Sequence, residues 1–306
     1  MDERGMKISF LIPVYNESGN IEELCAKIKK VSGERYSIEV VFVNDGSTDN
    51  SLDVIKNLAR HDRNVKAVDL SRNFGHQTAI KAGLGFVTGD AVIVMDADLQ
   101  DPPEVAAELI DKWRSGYQVV YAIRRSRKEP LTLRVLYASF YRILKTMSKI
   151  DMPLDAGDFC LLDREVADVL ISMPERNPFM RGLRSWVGYK QIGVEYDRQG
   201  RFKGKSKYGF FKLLKLALDG IFSFSNVPLR ISTISGFAVS IFTAMLIIRL
   251  LVDRLPVPGT TLIAVLVLFM GGVQLITIGI LGEYIGRIYE ESKKRPSFLI
   301  KEKVNI

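Results

Sequence analysis

Ala91-Val92-Ile93-Val94-Met95-Asp96-Ala97-Asp98-Leu99-Gln100 is the stretch that decides the kind of sheet. An apolar run rich in Val and Ile, too short for a helix, stops abruptly on two acids. That is the pattern of a strand buried on both faces whose carboxyl end carries polar chemistry. The pattern recurs upstream. Lys7–Val14 stops on Tyr15-Asn16-Glu17, and Ile38–Asn44 on Asp45-Gly46-Ser47. Val65–Leu70 and Gln118–Ile123 are runs of the same kind, and Ala91–Asp96 lies between them. The intervening segments have helical spacing: Ile21, Leu24, Ile28 and Val31, then Leu52, Ile55 and Leu58. Strands alternating with helices predict an α/β fold with a doubly wound, mostly parallel sheet. In such sheets ligands sit outside the carboxyl ends of the strands. Ser47 and Thr48 also suit a helix cap; Asp45, Asp96 and Asp98 together have no such structural excuse.

The chain has 306 residues, 25% of them charged and 47% hydrophobic, enough for a real core. Its 43 Lys and Arg against 35 Asp and Glu give a net charge of +8. Nucleic acid is one outlet for such a balance, but the basic and aromatic residues follow no nucleic-acid motif. A membrane surface or a phosphorylated substrate accounts for it equally well. Two cysteines and two histidines exclude a disulfide framework and a Cys- or His-based metal site. Met1-Asp2-Glu3-Arg4 has mixed charge and the run after it contains Pro13, so the amino terminus reads as a core strand rather than a secretory signal.

Beyond Asn226 the character changes. Residues 231–252 are apolar except Arg249, and 262–281 contain only Gln274, Thr277 and small residues among the apolar ones. About 20 residues cross a hydrocarbon core of about 30 Å. The pair, joined by a turn with Pro256 and Pro258, predicts a transmembrane hairpin, and its glycines suit close helix packing and allow a homo-oligomer. Leu131–Ile150 and Lys207–Phe224 interleave basic with apolar residues, as helices lying on a membrane surface do. The organisation expected is a catalytic domain over 1–206, an interface helix and linker over 207–230, a hairpin over 231–283, and a tail over 284–306. Lys293-Lys294-Arg295 puts the tail, and with it the catalytic domain, on the cytoplasmic side of a multi-pass protein of the cell membrane.

Asp96-x-Asp98 sets two carboxylates on one side of a strand end. Adjacent anions repel unless a cation lies between them. Mg²⁺ or Mn²⁺ takes one or two carboxylates plus substrate phosphates, with Gln100 offering an amide oxygen. Two other motifs fail. Gly83-Leu84-Gly85-Phe86-Val87-Thr88-Gly89 has one residue too many for a dinucleotide fingerprint, and Gly200–Ser206 one too few for a P-loop. A dehydrogenase and a P-loop ATPase are thereby set aside. Arg201, Lys203, Lys205 and Lys207 read either as solvated loop charge or as a phosphate clamp at the lipid surface.

Pro13-x-Tyr15-Asn16-Glu17, Val43–Ser47, Leu70-Ser71-Arg72-Asn73-Phe74-Gly75, Asp96–Pro103, Gly157-Asp158-Phe159, Gly271–Leu275 and Gly282–Arg287 together resemble the family 2 glycosyltransferases that act on polyprenyl phosphate. The group most similar is that of the bactoprenol glucosyltransferases, with the dolichyl-phosphate mannose synthases beyond it. The resemblance implies a GT-A fold and transfer of one sugar, best matched by glucose from UDP-glucose, to undecaprenyl or another polyprenyl phosphate, with inversion. It implies that Pro13, Tyr15, Glu17 and Asp45 hold the nucleotide, and that Asp96, Asp98 and Gln100 carry the metal. Arg124, Arg134, Lys205 and Lys207 would contact the lipid phosphate or the diphosphate. Asp158 would act as base, or orient the acceptor, since a phosphate monoester with a second pKa near 6 is already largely ionised. A processive polysaccharide synthase is the other enzymatic reading, but Arg184-Ser185-Trp186 breaks the acceptor motif of those enzymes. A sensor or membrane scaffold on the same fold is the nonenzymatic one.

Overall fold

The computed structural model describes residues 5–32, 36–125, 156–176, 178–198, 227–253 and 259–306. The first half follows the expected rhythm: β1 (Lys7–Val14), α1 (Ile21–Ser32), β2 (Ser37–Asn44), α2 (Ser51–His61), β3 (Val65–Leu70), α3 (His76–Leu84), β4 (Ala91–Val94), α4 (Ala106–Arg114) and β5 (Val119–Arg124). Then come β6 (Ala156–Asp163), α5 (Arg164–Ser172), α6 (Met180–Trp186) and β7 (Gln191–Tyr196). The chain ends with α7 (Val227–Asp253), α8 (Gly259–Ser292) and β8 (Ile300–Val304).

One eight-stranded sheet runs in the order β7-β5-β6-β4-β1-β2-β3-β8. The pairs β1–β2, β1–β4, β2–β3 and β5–β7 are parallel. Two strands run the other way: β6 pairs antiparallel with both β4 and β5, and β8 pairs antiparallel with β3. Both faces of the sheet are covered. Phe10 and Ile12 of β1 and Phe42 of β2 meet Ile21, Leu24 and Ile28 of α1, Ile55 of α2 and Leu109 of α4. Leu11 and Val43 face the opposite way, toward Ala79 and Ile80 of α3, Val166 and Leu170 of α5, and Leu183 of α6. Burial on both sides explains why the strands read as unbroken apolar runs rather than alternating ones. At Gly83 α3 lies close against the sheet, since a Cβ there would stand 2.1 Å from Leu11 Cδ1. Gly83 thus serves helix–sheet packing, and Gly89 lets the loop before β4 approach Ser9 and Lys7 of β1. Cys25 and Cys160 are free and buried.

The chain leaves β1 toward β2 through α1 on one face and arrives at β4, on the other side of β1, through α3 on the opposite face. That reversal makes a topological switch point, and the crevice outside the carboxyl ends of β1 and β4 is where a doubly wound sheet takes its ligand.

Among the described residues, α7 and α8 each contain a stretch long and apolar enough to cross a membrane, Val227–Met245 and Phe269–Ser292. Large apolar side chains along both, Phe237 and Leu275 among them, are exposed. At 1.5 Å per residue the 34-residue α8 is about 50 Å long, well beyond a core of about 30 Å. Its charged residues gather from Glu283 onward, so its last turns form a polar end. Residues 284–306, expected as a tail, therefore continue α8 to Ser292 and then add β8 to the edge of the sheet. There Ser71 N donates to Leu299 O at 2.9 Å.

Candidate active site

The β1 and β2 ends form one wall of the crevice. Asn16, at φ 56°, turns the chain out of β1 and accepts at its Oδ1 from Thr48 N at 2.8 Å. Its own N–H donates to Ser47 Oγ at 3.0 Å, and Glu17 N donates to Ser51 Oγ at 3.0 Å. The two loops are thus sewn together, leaving Tyr15 exposed beside the buried Pro13. Gly46, at φ +64°, is required there because a Cβ would come within 2.5 Å of the Arg72 and Asn73 backbone. That close approach brings the loop after β3 onto Asp45, whose carboxylate accepts from Phe74 N at 2.7 Å and Gly75 N at 3.0 Å. Burial holds the Asp45 carboxyl above its ordinary range in spite of these donors.

The opposite wall is built on β4 and β6. Asp96 and Asp98 follow β4 directly, and Leu99 adopts φ 59°, an unusual conformation for a branched side chain. The sharp turn lets Gln100 N donate to Asp98 Oδ1 at 3.1 Å. Asp158 projects from β6 into the same space. Arg181 of α6 grips it with two bonds, Nε to Oδ1 and Nη2 to Oδ2, each 2.8 Å. His76, the first residue of α3, stands between the walls, its Nε2 lying 3.4 Å from Asp96 Oδ1 and 3.4 Å from Asp158 Oδ2. A third group lies beyond them. Asp101 is buried and accepts from the Tyr196 hydroxyl and from Arg198 Nε at 3.3 Å, while Arg124 Nε reaches the Tyr196 oxygen at 3.4 Å.

Electrostatics separates these acids. Burial pushes the Asp158 carboxyl up, but Arg181 and His76 more than reverse it and hold it well below the usual range. Asp158 is consequently a weak base whose oxygens are already engaged. Asp96 goes the other way. Burial and the like charges of Asp101, Asp98 and Asp158 raise it to about 6, against the pull of His76. Burial alone would lower His76; Asp96 and Asp158 bring it up to about 9, so it is an imidazolium at neutral pH.

No group of three or more metal-ligating side chains converges among the described residues. What the β4 end offers is oxygen only: two carboxylates on one turn, one of them destabilised as an anion by burial and by the acids around it. That donor set fits a hard divalent cation that completes its shell from a substrate diphosphate, and does not fit a cation caged by protein alone.

The structure brings together Asp96, Asp98 and Asp158, sets Gln100 and Arg124 at their edge, and places Pro13, Tyr15, Glu17 and Asp45 on the facing wall. Arg134, Lys205, Lys207 and the two expected surface helices lie outside the described residues. Three contributors escape a reading of the sequence: His76, Arg181 and Tyr196. His76 follows Gly75 at yet another strand end, which is the signal that would have found it. Arg181 and Tyr196 have no local signature, since their partners are distant in the chain.

Comparison with known proteins adds identity to this geometry. The model of the family described as glycosyl transferase family 2 matches residues 9–171. The bactoprenol glucosyl transferase of Shigella phage SfX is 44% identical over 97% of this chain and 100% of its own. An uncharacterized glycosyltransferase of Bacillus subtilis strain 168, YkcC, is also 44% identical, over 99% of this chain and 96% of its own. Among solved structures, glucosyl-3-phosphoglycerate synthase from Mycobacterium tuberculosis, in complex with Mn²⁺, UDP and glucosyl-3-phosphoglycerate, gives a TM-score of 0.47 at 19% identity, over 71% of this chain and 78% of that one. With the family model spanning more than half of the sequence and relatives matched nearly end to end, the chain belongs to glycosyl transferase family 2 and is a glycosyltransferase.

Proposed function

We propose that this glycosyltransferase moves a single sugar, glucose from UDP-glucose, onto undecaprenyl or another polyprenyl phosphate at the cytoplasmic face of the cell membrane. The observation that carries the acceptor class is the state of Asp158. Both of its oxygens are held by Arg181, and its carboxyl lies well below the usual range. A sugar hydroxyl would need a base to activate it; a phosphate monoester, with a second pKa near 6, arrives already ionised. The near-full-length identity to a bactoprenol glucosyl transferase supports the same acceptor, and the two apolar helices supply a means of staying beside it.

In this reading Asp45 and the loop around Tyr15 and Glu17 receive the nucleotide, and Asp96 and Asp98, with Gln100, hold Mg²⁺ or Mn²⁺. When bound, that cation neutralises charge on the departing diphosphate. Arg181 and His76 keep Asp158 ionised and fixed, so that it orients the acceptor and the sugar hydroxyls rather than taking a proton. Arg124 adds a cation at the far edge for the acceptor or donor phosphate. The phosphate oxygen attacks the anomeric carbon in a single displacement, the bond to the nucleoside diphosphate breaks, and configuration inverts. Confining enzyme and acceptor to one surface raises the effective concentration of the lipid.

The test is transfer of radiolabel from a panel of UDP- and GDP-sugars to undecaprenyl phosphate, with Mg²⁺, Mn²⁺ or EDTA. Label entering the lipid phase from UDP-glucose, and only with metal, is the expected result. Transfer to a sugar hydroxyl acceptor with none to the lipid phosphate would overturn it.

A further inference from the structure

The polar end of α8 and the strand behind it hold the catalytic domain at two loops, one on each side of α3. On one side Leu299 and β8 run along β3, whose end leads through 71–75 to His76. On the other, Arg176, in the loop between α5 and α6, meets the last turn of α8. Arg176 Nη1 lies 2.7 Å from Glu290 Oε2 and donates to Glu290 O at 3.2 Å, while the Arg176 backbone N–H donates to Glu291 Oε1 at 2.9 Å. The same loop is fixed from the inside: the buried Lys81 of α3 donates from Nζ to Met173 O at 2.6 Å and Glu175 O at 2.9 Å. Behind it, α6 is pinned to α3 by Met180 N donating to Gln77 Oε1 at 2.9 Å, and to Asp158 by Arg181. A continuous set of contacts therefore joins α8 to both residues that grip Asp158.

The ion pair adds little to stability. Both partners are partly exposed, so solvent screens the attraction between them. Its placement is more telling. Glu290 lies nine residues past Leu281, the last residue of the apolar run, or about 14 Å at 1.5 Å per residue. For a helix that leaves the hydrocarbon at Leu281 along the bilayer normal, that is beyond the roughly 6 Å of headgroup layer on each side of a bilayer. The contact is where a rigid extension of the membrane helix fixes the height of the crevice.

We propose that Arg176 is a positioning residue: with Glu290 and Glu291 it locks the catalytic crevice at one height and orientation above the membrane, matched to a phosphate that cannot leave the lipid. This rests on the polyprenyl-phosphate reading. The full-length protein is assayed with undecaprenyl phosphate in phosphatidylglycerol–phosphatidylethanolamine vesicles, and in detergent with a water-soluble short-chain prenyl phosphate. Arg176→Ala and the double change Glu290→Gln with Glu291→Gln should lower transfer to the vesicle-borne acceptor about tenfold, because small misplacements are costly to a reaction that depends on geometry. Transfer to the soluble acceptor should stay within about twofold and the thermal midpoint nearly unchanged, as an exposed pair requires. The exchanged pair, Arg176→Glu with Glu290→Arg, should recover much of the vesicle activity. Equal losses on both acceptors, or no loss in vesicles, would overturn the assignment. Failure of the unaltered protein to use either acceptor sinks the polyprenyl-phosphate reading, and the positioning role with it.

Discussion

At the amino ends of β1, β2 and β3, Glu39 sits 1% exposed among complementary groups: Lys66 Nζ at 2.8 Å, Lys7 Nζ at 3.0 Å, Ser9 Oγ at 2.5 Å and Thr88 Oγ1 at 2.8 Å. At the carboxyl ends of β4 and β6, four aspartates crowd one crevice. Among the described residues, Asp158 and Asp101 are each paired with an arginine, whereas Asp96 shares His76, at 3.4 Å, with Asp158. One sheet thus carries, among the described residues, a lone acid ringed by lysines at one end and four acids crowded with their cationic partners at the other. Burial raises Glu39 as it raises Asp96, yet Lys66, Ser9, Thr88 and Lys7 bring Glu39 down to about 2 while Asp96 stays at about 6. On the proposed reading, the difference separates charge that completes the fold from charge held for a ligand.

The largest expected effect lies at the crowded end. Asp98→Asn should cut turnover about 10³-fold, the scale of losing one preorganised electrostatic contact in a transition state. Asparagine keeps an oxygen for Gln100 N, so the fold should be retained. Asp96→Asn should behave alike in turnover and, by relieving repulsion, leave the thermal midpoint level or higher. A fall in midpoint for Asp96→Asn would mean that this end is built for stability too, and the contrast would fail.

Glu39→Gln tests the other end. Turnover per folded molecule should be unaffected, while stability near pH 7 falls by about 3 kcal/mol, from a carboxyl lowered from 4.5 to about 2. Because the folded value lies below the unfolded one, this contribution is complete above pH 4.5 and is lost as pH falls toward 2. Denaturant unfolding of wild type and Glu39→Gln should therefore converge between pH 4.5 and 2. A gap that stays constant across that range would show that packing, and not ionisation, supplies the difference.

How much of this was legible follows the reach of each interaction. The five strands up to β5 announced themselves as short apolar runs packed between helices, and the first four end in polar loops. In β6, Phe159-Cys160-Leu161-Leu162 is just as apolar, but it follows Gly157-Asp158 and draws the eye as a site motif. One charge, a glutamine and a glycine thin the signal in β7. Three charges in five residues make β8 look like solvated tail; only its pairing with β3, some 235 residues away, makes it a strand. The site divided the same way. Asp45, Asp96 and Asp98 stand at strand ends and were readable, whereas Arg181 matters only because α6 folds back onto β6. Once the helix is placed, the bidentate grip of Arg181 on Asp158 comes into view, and with it the ground for proposing that Asp158 orients rather than takes a proton.

A smaller effect tests the packing that joins the two ends. Gly83→Ala would set a methyl 2.1 Å from Leu11 Cδ1 and 2.7 Å from Val43 Cγ2, in a tight contact between α3 and the sheet. Overpacking of this kind costs about 1–3 kcal/mol. Since α3 opens with His76, the shift should also raise the apparent KM for the nucleotide sugar. A destabilised variant with unaltered kinetics would show that α3 absorbs the strain before reaching its first residue.

The smallest effect contrasts ion pairs within one sheet. Lys56 Nζ lies 2.6 Å from Glu302 Oε2, closer than either lysine approaches Glu39, but its partners are 25% and 46% exposed. Solvent screens such a pair to about 0–1 kcal/mol, and at 1 M salt the Debye length shrinks to about 3 Å. Lys56→Ala should lower stability by less than about 1 kcal/mol at low salt and by nothing measurable at 1 M, because β8 is held instead by its ladder to β3 and by the packing of Phe298 and Ile300. Lys66→Ala, which strips a 14%-exposed lysine from a buried carboxylate, should keep most of its effect in salt. If both losses vanish together at high salt, burial of Glu39 is not what distinguishes the amino end, and distance alone would have to explain both pairs, which the shorter exposed bond already argues against.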